Sequence, residues 1–385
     1  MPNHHAEPGT TVDSIELLLV SMPFSAARRA AGGAESVDRF NASSRTFTRM
    51  ESLMVRVTDS RGRVGWGEAF GHLCNASTWS ALESLAAPFY LGRGLDAVEV
   101  HGLAERAFHA FGRTGPVQYA LSALDTALWD LAAQSAGVPL RRLLAPSARD
   151  SIRAYASLVH YGEEPAEVAH HVGRAQSRGY TAFKLHESTP AAVAAARRQA
   201  GAEAPLMVDV NCRWTEEEAV DALRALRPLN LAWMEEPLWP PDDLPALARL
   251  NRLGTPVAGG ENASGPVALV RAMEDGALAV AQPSVGKIGG VTSMLHVLAA
   301  GRRTGVAVVP HCFYYGPALA ASAQLVAALP ETVELEVPFL EWPERLHRLH
   351  GAGPDLHLPE GPGLGFDPDE DVLRRHLVRS ATIGH

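Results

Sequence analysis

The sequence predicts an α/β fold, a parallel barrel of the TIM type preceded by a mixed α+β unit, and three observations carry that prediction. Short apolar runs alternate with helical patterns from residue 150 onward, as βα repeats require. Eight candidate strands recur about every two dozen residues, roughly the length of one strand, loop and helix. Each of these runs from the second onward ends close to a polar side chain, so the strand ends lie in register. In a parallel barrel such positions face the C-terminal rim, where catalysis in this fold resides.

The elements follow in order. Residues 14–20 and 53–66 read as strands, with Asp59-Ser60-Arg61-Gly62-Arg63 as a turn inside the second run. Between them, residues 21–47 are rich in Ala, Gly, Ser and Arg and too long for an ordinary connection, which marks a lid or a disordered loop. From Pro116 the period changes. Val117, Ala120, Leu121, Leu124, Leu128 and Leu131 recur at helical spacing, and Gly137-Val138-Pro139 ends the run. The barrel strands are expected at 153–158, 182–185, 206–210, 232–235, 256–259, 279–281, 307–309 and 333–335. These boundaries give an N-terminal unit over 1–145, a barrel over 146–350, and a Gly- and Pro-rich C-terminal segment, 351–385, returning to cover the first unit.

Composition narrows the function. Hydrophobic residues make up 46% and charged residues 20%, an ordinary globular mixture in a chain of 385 residues, long enough for one large and one smaller domain. A net charge of -9 without a basic stripe argues against nucleic acid. No apolar run of membrane-spanning length is present, and the first residues lack the basic start and apolar core of a signal peptide. His4 and His5 read as part of an unstructured tail. Cys74, Cys212 and Cys312 are odd in number and have no paired spacing, so a reducing compartment, the cytoplasm, is expected.

Asp209, Glu235 and Glu261 each follow an apolar run and are 26 residues apart. Three carboxylates at one rim suit a divalent cation such as Mg²⁺, which takes hard oxygen ligands and leaves room for substrate. Lys184, Ser284, His311 and Glu336 extend the same interval around the rim. Lys184 and His186 are two apart on one strand and therefore share a face. His186, beside Lys184 and a metal, is expected to be neutral near pH 7 and able to accept a proton. His160, Tyr161, Tyr314 and Tyr315 are either pocket-lining or plain loop residues.

Together, Asp209 with Asn211, Glu235-Glu236-Pro237, Gly260-Glu261, Lys287-Ile288-Gly289-Gly290, Pro310-His311 and the helix around Ala123–Asp130 resemble the enolase superfamily, mandelate racemase subgroup. The resemblance spans about residues 14–375. It implies a modified (β/α)7β TIM barrel with an N-terminal α+β capping domain, Mg²⁺ held by Asp209, Glu235 and Glu261, and Glu236 supporting that shell. It also implies a small-molecule carboxylate substrate touched by Asn211 and Glu336, and a symmetric homo-oligomer.

In that family a Lys-x-Lys pair ends the second strand, its first Lys binding the carboxylate and its second acting as base. Here Lys184-Leu185-His186 puts a histidine in the base position. His311 matches the opposing catalytic histidine. Its usual Asp partner is replaced by Ser284, whose hydroxyl is expected to orient the ring weakly or to touch substrate. The implied reaction is removal of a proton α to a carboxylate with Mg²⁺ stabilising the enolate, leading to dehydration of an acid sugar. A racemase, epimerase or cycloisomerase, or a silent metal-binding relative, are the alternatives.

Overall fold

The computed structural model describes residues 9–29 and 47–384. The 21–47 lid expectation therefore falls largely outside the described residues, and the tail expectation for His4 and His5 falls wholly outside. At the near edge of the lid segment, strand β1 (Val12–Pro23) continues past the predicted end, and Ser25 bridges to Glu341.

The N-terminal sheet is antiparallel. β1 pairs with β2 (Arg49–Asp59), and β2 pairs with β3 (Val64–Ala69) across the predicted turn. Alternating apolar residues Ile15, Leu17, Leu53, Val55 and Val57 are buried here. The helix Pro116–Ser135 lies on this sheet because β3 carries Gly65 and Gly67 on the facing side. A Cβ on Gly67 would sit 1.9 Å from the Ala123 carbonyl oxygen, and one on Gly65 would sit 2.3 Å from that of Ala127. Two glycines at period two thus let backbone meet backbone.

The barrel strands are β4 (Ser151–Ser157), β5 (Phe183–Leu185), β6 (Leu206–Asp209), β7 (Trp233–Glu235), β8 (Val257–Gly259), β9 (Val280–Ala281), β10 (Ala307–Val308) and β11 (Leu335–Pro338). They are parallel and adjacent in chain order, with β11 beside β4. A helix follows each of the first seven, giving the (β/α)7β arrangement. β5 and β6 are buried at every position, as expected where both faces are covered. Sequence placed the eighth strand two residues early. Pairing with β4 starts at Leu335, opposite Ala154, and Val333 only packs partly buried against the barrel interior. β12 (Asp355–His357) pairs antiparallel with β4, and β13 (Leu377–Gly384) pairs with β1, so the chain end completes the N-terminal sheet. No helix among the described residues is long and apolar enough to cross a membrane.

Buried polar contacts join the N-terminal unit to the barrel. Asp125 accepts the Thr292 N–H at 2.9 Å and its hydroxyl at 2.5 Å, while Trp129 Nε1 donates to Thr292 Oγ1 at 2.9 Å. Glu68 on β3 accepts from Ser52 Oγ at 2.5 Å and from the N–H of Ala318, in the helix Pro317–Ala328, at 2.8 Å. Burial pushes the Glu68 carboxyl up to about 7.

Two expectations follow. Gly67→Ala forces β3 off its helix and lowers stability by about 1–3 kcal/mol, read as a fall in urea midpoint. Because Glu68 keeps its proton when folded but loses it near pH 4.5 when unfolded, its contribution to stability falls as pH rises from about 4.5 to 7. The loss is about 3 kcal/mol over that window. Glu68→Gln imitates the protonated acid, so denaturant titrations across the window should show that slope flattened.

Candidate active site

Strand geometry decides which side chains reach the rim. Lys184 and His186 lie on one face of the β5 run, and Asp209 is paired in register with Glu235 across β6 and β7. Asn211, Cys212 and Glu236, just past those strands, adopt positive φ of 51°, 58° and 45°. These left-handed exits are costly for residues with a Cβ and recur at functional rims. Above the strands opens a cavity of about 650 Å³, lined among others by Lys184, His186, Asp209, Asn211, Glu261 and His311.

Lys184 forms the floor and is 1% exposed. Its Nζ lies 2.8 Å from Glu235, 2.8 Å from Glu336 and 3.2 Å from Asp209. Burial alone would push this ammonium down, but the three carboxylates hold it well above its ordinary value. Asp209 is correspondingly held well below the usual carboxylate range: burial opposes its charge, and Lys184 and His186 outweigh burial. Glu336 is likewise lowered by Lys184 and His311 against burial, and it accepts the Cys312 N–H at 2.9 Å. Glu235 lies beneath the cavity, its second oxygen taking Gln282 Nε2 at 2.7 Å and Trp233 Nε1 at 3.1 Å. Burial and the neighbouring Asp209 push it up to about 7. Glu236, whose oxygens accept from Asn262, is pushed up to about 8 by burial, Glu261 and Asp209.

Two imidazoles contact acids on different strands. His186 Nδ1 is 2.5 Å from the Leu158 carbonyl oxygen and Nε2 is 3.5 Å from Asp209. A carbonyl only accepts, so Nδ1 carries the hydrogen and Nε2 is left to the cavity. The expectation of a neutral His186 rested on Lys184 and a metal beside it. Among the chain's own groups alone, burial does push the ring down, but the closer Asp209 outweighs both burial and Lys184, and its pKa is raised. His311 Nε2 is 2.8 Å from Glu261. Burial opposes its charge, yet Glu261 and Glu336 raise it, while burial of Glu261 is overcome by His311 and Lys287.

Ser284 is not brought to His311 or to the cavity wall. Its Oγ lies 2.5 Å from the Tyr314 hydroxyl, and His311 Nδ1 is buried with no hydrogen-bond partner among the described residues. Tyr314 is thus turned to Ser284 and does not line the cavity, and Tyr315 donates to the Val20 carbonyl at 2.9 Å, away from the site. His160 and Tyr161 are buried beside the loop that carries His186.

Sequence reasoning passed over several wall residues. Lys287 donates to Asn262 Oδ1 at 2.7 Å, lies 3.4 Å from Glu261 and stands 4.2 Å over the Phe70 ring. It belongs to a quoted motif, so the signal was present. His72 and Tyr119 come from the N-terminal unit, where no periodicity marks them. His72 has φ 40° and is pushed down to about 4 by burial, Lys287 and His311, so it lines the wall as a neutral ring.

Residues 167–372 match the model for enolase C-terminal domain-like proteins, and residues 33–145 match that for the N-terminal domain of mandelate racemase / muconate lactonizing enzyme. The D-galactarolactone cycloisomerase of Agrobacterium fabrum is 29% identical over 358 residues, covering 87% of this chain and 93% of that protein. The D-gluconate dehydratase of Thermoproteus tenax is 30% identical, over 86% of this chain and 71% of that protein. The crystal structure of L-talarate/galactarate dehydratase from Salmonella typhimurium LT2, liganded with Mg and L-lyxarohydroxamate, superposes with a TM-score of 0.83 at 25% identity, covering 98% of this chain and 95% of that one. Both halves of the chain thus carry matching models, and it belongs to the mandelate racemase / muconate lactonizing enzyme family of enolase-like enzymes.

Proposed function

We propose that this enzyme removes the proton α to the carboxylate of an acid sugar and expels the β-hydroxyl, giving a 2-keto-3-deoxy acid. The observation that carries the reading is the pair of imidazoles lining one acid-walled cavity, His186 in contact with Asp209 and His311 in contact with Glu261. Dehydratases among the relatives support it.

The donor set fits Mg²⁺. Asp209, Glu235 and Glu261 offer only hard oxygens, and carboxylate crowding is strong enough to push Glu235 and Glu236 toward their neutral forms. These three residues would hold the ion, with Glu236 beside them. Bound there, Mg²⁺ supplies positive charge to the substrate carboxylate as the enolate forms.

The chain's own groups do the rest. Lys184, held charged, anchors the acids of the floor, and Asn211 and Glu336 line the wall offered to the carboxylate end. His186 takes the α-proton on Nε2, beside Asp209, from its neutral form, whose hydrogen the Leu158 contact holds on Nδ1. His311, raised by Glu261, gives its proton to the departing β-hydroxyl, which leaves as water with the C–O electrons. The enol then becomes the keto acid. Cycloisomerisation of a sugar lactone is the second reading, favoured by the Agrobacterium fabrum relative, and it shares the α-proton step.

Incubation with Mg²⁺ and a panel of acid sugars and lactones in D₂O tests both readings. A 2-keto-3-deoxy product is expected; α-deuteration with ring rearrangement and no loss of water would transfer the assignment to a cycloisomerase. His186→Asn is expected to lower kcat about 10²–10⁴-fold, since one positioned base contributes that much. Asp209→Asn should weaken Mg²⁺ binding measured by calorimetry, and unchanged affinity would put the metal elsewhere.

A further inference from the structure

The loops after β4 and β5 are tied together by buried and half-buried side chains that no step of the proposed reaction uses. Glu187 turns back from its place beside His186 and accepts the N–H of Tyr161 on one oxygen and that of Glu163 on the other, the latter at 2.8 Å. Glu163 reaches the opposite way, accepting from the N–H and hydroxyl of both Ser188 and Thr189 at 2.8 to 3.1 Å. His160 Nδ1 lies 2.9 Å from the His186 carbonyl oxygen and 3.3 Å from Glu187 Oε2. His186 Nδ1 in turn meets the Leu158 carbonyl at 2.5 Å. Each imidazole therefore donates to a backbone carbonyl of the other's loop. From the N-terminal unit, Arg28 Nε and Nη2 donate to the His160 carbonyl at 3.0 and 2.9 Å.

One ligand atom from each of His160, Glu163 and Glu187 lies within 4.8 Å of the other two, a spacing that would also suit a cation. The hydrogen bonds decide against that use, because most donors here are backbone N–H groups fixed by the loops, whereas Glu235 is met by side chains that can turn away. Both Glu187 oxygens are engaged by backbone N–H groups, the Glu163 carboxylate takes four donor groups, and His160 Nδ1 points its hydrogen at a carbonyl. The cluster is a clamp whose output is the position of residue 186.

We propose that His160 and Glu187 are positioning residues for His186, an inference that rests on reading His186 as the base. They hold the two loops so that the Leu158 carbonyl takes the Nδ1 hydrogen of His186 and its Nε2, bare in the neutral ring, faces the cavity beside Asp209. An imidazole is more exposed to misplacement than a flexible lysine, because rotating its ring or exchanging its tautomer removes the acceptor altogether. A small displacement of a reacting group costs about 100-fold in rate.

The test reads the ring nitrogens of His186 by ¹⁵N–¹H NMR in histidine-labelled protein in alkaline buffer, with His186→Asn identifying the signal. Wild type should show hydrogen on Nδ1 and a bare Nε2. His160→Leu should populate the other tautomer and lower kcat about 100-fold with KM within a few-fold, on the acid sugar found active in D₂O. His160→Asn, whose amide nitrogen stands where Nδ1 stood, should restore both readouts. Glu187→Gln sets an amide donor against a backbone N–H and should shift the tautomer as His160→Leu does, which keeps the test open if the leucine variant does not fold. A His186 tautomer unmoved in every folded variant, or a His160→Asn as impaired as His160→Leu, overturns the clamp. Full turnover by His186→Asn would instead overturn the assignment of the base, while the tautomer signal would still report the clamp.

Discussion

A single buried ammonium holds the rim together. Lys184 is enclosed among Asp209, Glu235 and Glu336, which come from β6, β7 and β11, so three strand ends on both sides of β5 share one counter-cation. Removing four charges from water is unfavourable unless they neutralise one another at short range, and breaking one partner of such a set leaves the others uncompensated. Lys184 has little freedom to do other chemistry. Its position fits the proposed division of roles at Lys184-Leu185-His186, in which the first residue serves the acids of the floor and proton transfer is assigned to His186.

The remaining acids need more charge than the floor supplies. Glu261 is met by His311 and Lys287, whereas Glu235 and Glu236 are pushed toward neutrality by burial and by neighbouring carboxylates. That imbalance is the local reason a divalent cation suits this site. The left-handed exits at Asn211, Cys212 and Glu236 lie at this same crowded rim.

Much of this was legible in the sequence because periodicity and spacing are backbone properties. The strand–helix repeat, the parallel order and the polar strand ends follow from period alone, and Asp209, Glu235 and Glu336 face inward as that register implies. What escaped depends on which atom meets which. Ser284 in place of an acid suggested a weaker partner for His311, but Tyr314, thirty residues on, reaches back and takes the hydroxyl. His72 and Tyr119 arrive from the other unit, brought over the rim by contacts such as Asp125 with Thr292, and no local pattern encodes that approach. The eighth strand was misplaced because Val333 looks like a strand residue, while pairing with β4 decides the true start.

The two faces of the cavity are consequently unequal. His186 has its Nδ1 hydrogen fixed by Leu158, inside loops cross-linked by His160, Glu163 and Glu187. His311 has Glu261 on Nε2 and nothing among the described residues on Nδ1. A ring bonded only through the nitrogen that faces the site is positioned by its acid neighbour and charged by it, which suits a proton donor. His186 also meets an acid through its forward nitrogen, but at 3.5 Å from Asp209 rather than 2.8 Å, and with Nδ1 donating to a carbonyl its neutral form carries the lone pair forward, which suits an acceptor. Racemisation asks both faces to alternate between these states, so symmetric partners would serve it best. The difference between the two rings is consistent with the proposed dehydration, in which a proton passes from carbon to His186 and from His311 to a leaving oxygen.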